Sequence, residues 1–389
     1  MFSARTDWNL SQNAYSLAAD ALRARGEKFY DLTVSNPTEA GFDYETSKIM
    51  SALANPNALN YEPAAKGLLP ARQSVSNYYQ QSGIQVAPDA LILTVSTSEA
   101  YTYCFRLLCD PGDEVLVPVP SYPLFEFLAE LQDVKLVPYE LVYDHGWLID
   151  FHSLEHAISS RTRAVLVVNP NNPTGSYAKP WEIERLNEVS TSHSLAIIAD
   201  EVFLDYGLDS AQHRSFAENS GALTFTLSGL SKIAGLPQMK VAWLGTSGPE
   251  SLAREAMARL EVIADTYLSM NAPIQCALPD LLDSRHELQR QLRDRSGANL
   301  SELDRQLGGQ KLCSRLHVEG GWYGILRVPV TRSDEALAIA LIESESVLVH
   351  PGHFYDFASD GHLVISLITP IDEFAEGVRR VLRLVTQHS

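Results

Sequence analysis

Six short apolar runs recur between residues 91 and 244, separated by stretches with helical periodicity. The runs lie at residues 91–95, 115–118, 164–168, 195–199, 223–227 and 241–244. Each is rich in β-branched or aliphatic residues, as is usual for strands that are buried on both faces. The alternation of such strands with amphipathic helices predicts an α/β fold that is built on a largely parallel sheet.

The texture of the sequence changes after about residue 271. A long charged segment, residues 283–306, predicts an exposed helix, and strand-like and helix-like stretches then alternate up to a last amphipathic helix. The chain has 389 residues, which is more than one small core can use. We therefore predict an N-terminal arm with part of a small domain (1–45), a large domain (46–285) and a C-terminal small domain (286–389).

The charge balance bears on the partners that the chain can have. With 30 basic and 48 acidic residues, the net charge is −18, which disfavours nonspecific binding to nucleic acid or to anionic membranes. No stretch predicts a membrane span or a signal peptide. The cysteines lack CxxC spacing, so we expect no disulfides and a cytoplasmic location. They are Cys104, Cys109, Cys276 and Cys313.

The sharpest chemical signal is Lys232, which ends the segment SGLSK directly after the apolar run 223–227. A lysine at the carboxyl end of a buried strand lies where α/β proteins bind ligands. Partial removal from water lowers the pKa of an amine and makes it a nucleophile toward an aldehyde. Taken alone, however, such a lysine is more often an ordinary solvated residue.

Three further segments follow other apolar runs, and each has a structural alternative. NPNNPTG (169–175) builds a tight turn that presents amide donors. DEVF (200–203) places a carboxylate at the end of a strand, where it also suits a helix cap. TVSTSEA (94–100) starts a helix with small hydroxyl residues, which suits a phosphate or a plain N-cap.

In this order and context, these segments resemble those of the fold-type I pyridoxal-phosphate (PLP) enzymes, and within them the class I/II aminotransferases. PGDEVLVPVPSYPLFE (111–126) adds to the resemblance, which runs from about Leu32 to the last helix. It implies the PLP-dependent transferase fold type I. The large domain would then bind PLP and hold a mostly parallel seven-stranded sheet beside a smaller α+β domain.

The resemblance also implies roles for individual residues. Lys232 resembles the lysine that forms the Schiff base and moves the proton. Asp200 resembles the partner of the pyridine nitrogen, and its charge would keep that nitrogen protonated so that the ring withdraws electrons. Asn172 resembles the donor to the O3′ oxygen. Tyr122 resembles the aromatic residue that stacks on the ring.

Other positions resemble the part of the site that holds the phosphate. The backbone amides of Thr97 and Ser98 would cradle it, and Ser231 belongs to the same cofactor-binding set. Lys240 stands where the family usually has arginine, which preserves the charge but not the two-pronged fork. Tyr61 resembles the tyrosine that reaches the phosphate of the neighbouring subunit, which implies a homodimer with shared sites.

Two further departures concern the cofactor ring and the substrate. Phe203 stands where the family has a tyrosine that donates to O3′. Val364 stands where the family has the arginine that grips the substrate carboxylate. Another cation, a substrate without that carboxylate, or a different register would explain Val364. The candidate substitutes are His350, His353, Lys66 and Arg327.

Several residues are candidates for lining the substrate pocket. Ser35 and Trp322 are in this set, although core burial is the commoner fate of a tryptophan. His350 and His353 flank a Pro-Gly turn that the family places beside the substrate. Their spacing, with Asp356 and His362 nearby, also invites a metal site, but it is weak evidence and we predict no metal.

The resemblance favours transamination between an amino acid and a 2-oxo acid through a Schiff base on Lys232. The alternative is a PLP-dependent lyase or an enzyme that acts on an unusual amine, because Val364 replaces the carboxylate-binding arginine. A non-catalytic regulator with the same fold is disfavoured, since the chain carries no basic DNA-binding domain.

The departure at Phe203 predicts a measurable change in the Schiff base. Without a phenol donor, O3′ is more basic and holds the Schiff-base proton more tightly. The Phe203→Tyr variant is therefore expected to have a lower Schiff-base pKa than the natural protein. A spectroscopic pH titration of both proteins measures this, and equal or reversed values would contradict it.

Overall fold

The structure is a computed structural model that describes residues 1–122, 125–208 and 213–387. Pro123 and Leu124, in the predicted cofactor segment around Tyr122, lie outside the described residues. The strands in chain order are β1 (Tyr30–Asp31), β2 (Leu91–Thr94), β3 (Glu114–Val119), β4 (Lys135–Tyr143), β5 (Trp147–Ile149), β6 (Thr162–Val168), β7 (Ala196–Asp200), β8 (Thr224–Gly229), β9 (Ala242–Ser247), β10 (Ser314–Arg315), β11 (Tyr323–Arg327), β12 (Val347–Leu348), β13 (His350–Pro351) and β14 (His362–Ser366).

The helices connect and cover these strands. In chain order they are α1 (Ala14–Ala24), α2 (Thr46–Leu53), α3 (Leu69–Gln81), α4 (Thr97–Leu108), α5 (Phe125–Glu130), α6 (Phe151–Ala157), α7 (Pro180–His193), α8 (Leu230–Ile233), α9 (Glu250–Tyr267), α10 (Ala272–Asp283), α11 (Arg285–Leu307), α12 (Asp334–Glu345) and α13 (Ile371–Gln387). Among the described residues, none of these helices combines the length and the apolar character that crossing a membrane requires.

The large sheet has the order β2-β9-β8-β7-β6-β3-β4-β5. The pairs between β8 and β4 are parallel, and β9 and β5 run antiparallel to their neighbours. The predicted α/β class and mostly parallel sheet are confirmed, but the described sheet has eight strands rather than seven. The sequence runs did not include β4, in which covered and exposed residues alternate, or the three-residue strand β5 that pairs with it.

Helices cover both faces of the large sheet, as its buried strands require. One face packs against α4, α5 and α9. The other face packs against α6 and α7 in its middle, and against α2, α3 and α10 near the β2–β9 edge. Successive residues of a strand serve opposite faces: in β9, Trp243 belongs to the second core and Leu244 to the first.

Two smaller sheets lie in the remaining part of the described chain. β1 pairs in parallel with β12, and β10-β11-β14-β13 form an antiparallel sheet. One face of the latter packs on α1, α12 and α13. The opposite face carries Ile325 and Val364 into a core that also contains Phe203 and Tyr206 of the large domain. The domain boundaries after residues 45 and 285 stay predictions.

The charged helix predicted for residues 283–306 is α11, and the expectation that it is exposed was wrong. Leu288, Leu292 and Leu303 form a buried row along it. Buried Asn299 donates its amide hydrogens to the carbonyls of Leu367 and Thr369, at 2.8 and 2.7 Å. These buried residues are widely spaced among charged ones, so the sequence shows only a weak apolar stripe. The buried face joins the helix to the segment that follows β14.

The core around α13 yields a stability prediction. Phe374 is fully buried against the small-domain sheet, whereas Ile371, on the same helix, is largely exposed. Phe374→Ala is expected to lower the free energy of unfolding by about 3–5 kcal/mol because it leaves a cavity. Ile371→Ala should change it by less than about 1 kcal/mol. Urea unfolding of both variants tests this, and similar losses would contradict it.

Candidate active site

Parallel strands bring five predicted site segments to one edge of the large sheet. β3, β6, β7 and β8 are parallel, and β2 runs the same way because β9 is antiparallel to both of its neighbours. Their carboxyl ends therefore meet at the same edge. The segments that follow these ends contain the start of α4, Tyr122, Asn172, Asp200 and Lys232.

Lys232 lies on the short helix α8, directly after β8. Its Nζ lies 5.1 Å from the ring centroid of Trp322 and 5.5 Å from that of Phe203. The Tyr206 hydroxyl donates to the backbone carbonyl of Lys232 at 2.6 Å. Burial lowers the pKa of Lys232 to about 8, although the charge of Asp200 opposes this effect. At pH 7 most of this amine is still charged, but about a tenth is neutral, far more than for a solvated lysine.

Asp200 is the buried last residue of β7. Its Oδ2 accepts a hydrogen bond from the Tyr101 hydroxyl at 2.8 Å, and its Oδ1 accepts one from the Val202 amide at 3.1 Å. Burial raises the pKa of Asp200, while these two donors and Lys232 favour the charged form. Such a carboxylate can stabilise a proton on a ring nitrogen that comes within hydrogen-bonding distance.

The start of α4 offers backbone donors. Ser96 caps the helix by accepting from the Glu99 amide at 3.2 Å, and the Ala100 amide donates to the Ser96 carbonyl. The amides of Thr97 and Ser98 precede that first helical bond and point out of the helix end. A helix start of this kind suits a phosphate group.

Asn172 and Tyr122 lie on neighbouring loops of the same edge. Asn172 is buried, and among the described residues its Oδ1 has no hydrogen-bond partner. A buried acceptor without a partner is uncommon in folded proteins, and an ordered water or a bound group with an N–H or O–H donor satisfies such an atom. Tyr122 is 40% exposed and packs edge-to-face on Phe125. Burial raises the pKa of Tyr122, and the charge of Asp200 adds to the rise.

Two further predicted cofactor residues are exposed in the single chain, and Lys240 directly precedes Val241, whose carbonyl accepts a hydrogen bond from the Leu230 amide at 2.9 Å. The side chain of Tyr61 is 84% exposed and lines a surface cleft with Leu59 and Leu268. Lys240 is exposed and follows the turn Pro237–Met239 with a φ of 53°. Ser231, which precedes Lys232, is partly buried.

The predicted substrate residues fall into a buried and an exposed group. Trp322 is fully buried, with its ring edge-on to those of Phe203 and Tyr206 at centroid distances of 5.1 Å. Within the described part of the chain, its Nε1 has no hydrogen-bond partner. Ser35 is exposed and lies near Tyr323, where it lowers the pKa of the phenol against the larger rise caused by burial. His350 is partly buried, and His353 is exposed.

Three residues near the site were not singled out from the sequence. Tyr101 lies one helical turn after Thr97, but its place on an apolar helix face favoured a core role. Tyr206 follows Phe203 by three residues. Glu201 is buried and accepts hydrogen bonds from Asn169 Nδ2, the Phe216 amide and the hydroxyl of Ser215. Burial raises the pKa of Glu201 to about 7.

Sequence comparison extends over nearly the whole chain. The family described as "Aminotransferase class I and II" matches residues 9–381. The chain is 28% identical over 381 residues to the glutamate-pyruvate aminotransferase AlaA of Haemophilus influenzae, covering 94% of this chain and 93% of that protein. It is 29% identical over 378 residues to an alanine aminotransferase of Mycobacterium tuberculosis, covering 93% and 87%.

Structural comparison gives the same fold. An aminotransferase from Escherichia coli matches with a TM-score of 0.86 and 25% identity, covering 100% of this chain and 99% of that one. An alanine aminotransferase from Pyrococcus furiosus matches with a TM-score of 0.87 and 24% identity over 100% of both chains. The latter shows the shared fold alone.

The buried Glu201 predicts a pH-dependent stability. Because its folded pKa lies near 7 and its usual value is 4.5, its contribution to stability is complete below pH 4.5 and is lost as the pH rises through 7. Glu201→Gln should remove this loss, so that the variant gains on the natural protein by up to about 3 kcal/mol between pH 4.5 and 8. Urea unfolding at several pH values measures it.

Glu184 provides the matched control for Glu201, since it is an exposed glutamate on α7. Glu184→Gln should leave the pH profile of the unfolding free energy unchanged. If Glu201→Gln and Glu184→Gln show the same profile as the natural protein, Glu201 does not titrate near pH 7.

Proposed function

Because the chain belongs to the class I and II aminotransferases, we propose that it binds PLP on Lys232 and moves an amino group between an amino acid and a 2-oxo acid. The relatives named glutamate-pyruvate and alanine aminotransferase support alanine, glutamate and their 2-oxo acids as the first substrates to try. The observation that carries the proposal is that Lys232 and the buried carboxylate of Asp200 follow the ends of the paired parallel strands β8 and β7, where the charge of Asp200 acts on the pKa of the lysine.

The residues of the site fit this cofactor. When bound, PLP supplies an aldehyde that takes up the donor nitrogen and a ring that withdraws the electron pair left at Cα. Asp200 would hold the proton of the ring nitrogen, with Tyr101 fixing the carboxylate. The amides of Thr97 and Ser98 would bind the phosphate. The buried Asn172 would donate its NH₂ group to O3′.

Lys232 would serve as both attachment point and proton carrier. Its lowered pKa leaves part of the amine neutral. The neutral amine can take the proton from the donor Cα and deliver it to the carbon that the PLP aldehyde would contribute. The rings of Phe203 and Trp322 exclude water around Nζ, which limits loss of that proton to solvent. In the net exchange, the donor gives up its amino group and Cα hydrogen to the acceptor and takes its new oxygen from water, while the oxygen of the acceptor leaves as water.

The proposal includes a homodimer in the cytoplasm. Leu59, Tyr61 and Leu268 are exposed and line one surface cleft, which a second copy would cover. Tyr61 would then reach the phosphate of the other subunit, and Lys240 would add positive charge near the same group. The four free cysteines are compatible with a reducing compartment.

A substitution of Lys232 tests the proposed attachment. Lys232→Ala is expected to lower the rate of amino transfer by a factor on the order of 10³ or more, because it removes both the nucleophile and the proton carrier. Lys135→Ala, at an exposed lysine of β4, is the control and should keep full activity. Purified holoenzyme is mixed with L-alanine or L-glutamate and a 2-oxo acid, and the amino acid formed is measured with the cofactor absorbance.

The same assay distinguishes the competing functions. An absorbance change on adding the amino acid, reversed by a 2-oxo acid, supports transamination. Release of ammonia and a 2-oxo acid without an acceptor would instead indicate a lyase, which is the alternative that Val364 suggests. A Lys232→Ala enzyme with the absorbance and activity of the natural protein would overturn the assignment of Lys232.

A further inference from the structure

One face of the small antiparallel sheet looks toward Lys232. Val364 lies in the middle strand of this face, directly opposite Ile325 on one side and His350 on the other. It is 0% exposed and packs in the same core as Phe203 and Trp322, whose rings flank the lysine amine. An apolar side chain therefore stands at the position that the resemblance assigns to the carboxylate-binding arginine.

The other basic side chains suggested by the sequence are poorly placed to supply that partner. The Lys66 amine lies 3.9 Å from Asp89 and 3.8 Å from Glu261. Arg327 is exposed at the carboxyl-terminal end of β11, and His353 is exposed on the turn after β13.

Arg295, on α11, approaches the same core but is held by backbone groups. Its Nη1 donates to the carbonyls of Ala40 and Ile368, both at 3.2 Å, and its guanidinium stacks on Phe42.

His350 differs from these residues in its position. Residues directly opposite each other on antiparallel strands point to the same face, with Cβ atoms roughly 4.5–5.5 Å apart. The imidazole of His350 therefore stands beside the side chain of Val364, on the face that looks toward Lys232. It is the nearest polar side chain to position 364 in its row of the described sheet.

The surroundings of His350 keep it neutral and hold it in place. Its Nδ1 lies 3.0 Å from the hydroxyl of Tyr355. Burial lowers the pKa of His350 to about 4, against the opposing charge of Asp31. The Tyr355 carbonyl accepts a hydrogen bond from the Ser121 amide at 2.9 Å, which ties this turn to the loop that carries Tyr122.

We propose that His350 binds the substrate carboxylate in place of the absent arginine, by donating a hydrogen bond from Nε2–H. The Tyr355 hydroxyl donates to Nδ1 and so keeps the ring proton on Nε2. Tyr355 is then a positioning residue, and Val364 packs beneath the carboxylate without contacting its charge. This inference rests on the proposed function, since it assumes a substrate amino acid that is bound at Lys232.

A matched pair of probes isolates the carboxylate. 2-Methylalanine and tert-butylamine differ only in that a methyl group replaces the carboxylate. Neither has a hydrogen on the amine-bearing carbon, so both bind without transferring their amino group. Their dissociation constants are measured from the cofactor absorbance of the holoenzyme, for the natural protein and for His350→Val, His350→Gln and His193→Val.

The expected result concerns the ratio of the two dissociation constants. His350→Val should weaken 2-methylalanine binding on the order of 10- to 100-fold, the loss of one hydrogen bond to a charged group. Binding of tert-butylamine should change less than about threefold, since that probe makes no such bond. His350→Gln keeps an N–H donor and should recover part of the loss. His193→Val, at an exposed histidine of α7, is the control and should match the natural protein.

The outcomes separate this inference from the proposed function. An unchanged ratio in both His350 variants would overturn the role of His350 while leaving Lys232 chemistry intact. If neither probe, nor any amino acid, alters the absorbance of the natural holoenzyme, the proposed function itself fails. Tyr355→Phe supplies a further test, because it should weaken 2-methylalanine and spare tert-butylamine if Tyr355 positions the ring.

Discussion

The described site is organised around two groups of opposite charge, the amine of Lys232 and the carboxylate of Asp200. They follow neighbouring parallel strands, Asp200 is buried, and Lys232 is partly buried with its pKa lowered by desolvation. Burial alone would push each toward its neutral form, so that the amine loses its proton and the carboxylate gains one. Their mutual attraction and the hydrogen bond from Tyr101 counteract this on the acid. The result is an amine that titrates near pH 8 beside a carboxylate that is held for a positive partner.

Much of this arrangement could be predicted from the sequence because strand ends are local features. The apolar runs before Lys232 and Asp200 fall on β8 and β7 to within about two residues. Correct placement of the strand ends is enough to bring the segments together, since the carboxyl ends of parallel strands lie at the same edge of a sheet. The same reasoning missed β4, because its residues alternate in exposure and form no continuous apolar run. It also misjudged α11, because few apolar residues mark its buried face among the charged ones.

What the sequence could not supply depends on pairing across strands and on side-chain packing. His350 and Val364 are fourteen residues apart in the chain, and only the β13–β14 register sets them side by side. Tyr101 has the spacing of a core residue, and its hydroxyl gains a role only because the end of β7 approaches α4. The sequence raised the question of Val364 but left four candidate substitutes equal. Register, exposure and existing ion pairs separate them.

The hydrogen bond from Tyr206 to the carbonyl of Lys232 has a mechanical consequence. It fixes the backbone from which the reactive side chain extends, and Trp322 packs against the same tyrosine ring. Nζ is thus the end of a side chain that extends from a fixed backbone, and only the side-chain torsions of the lysine change its position. Rotation about these torsions moves Nζ through a limited region around the fixed backbone. One amine can then visit two carbons of a bound molecule in turn without any movement of the strand that carries it.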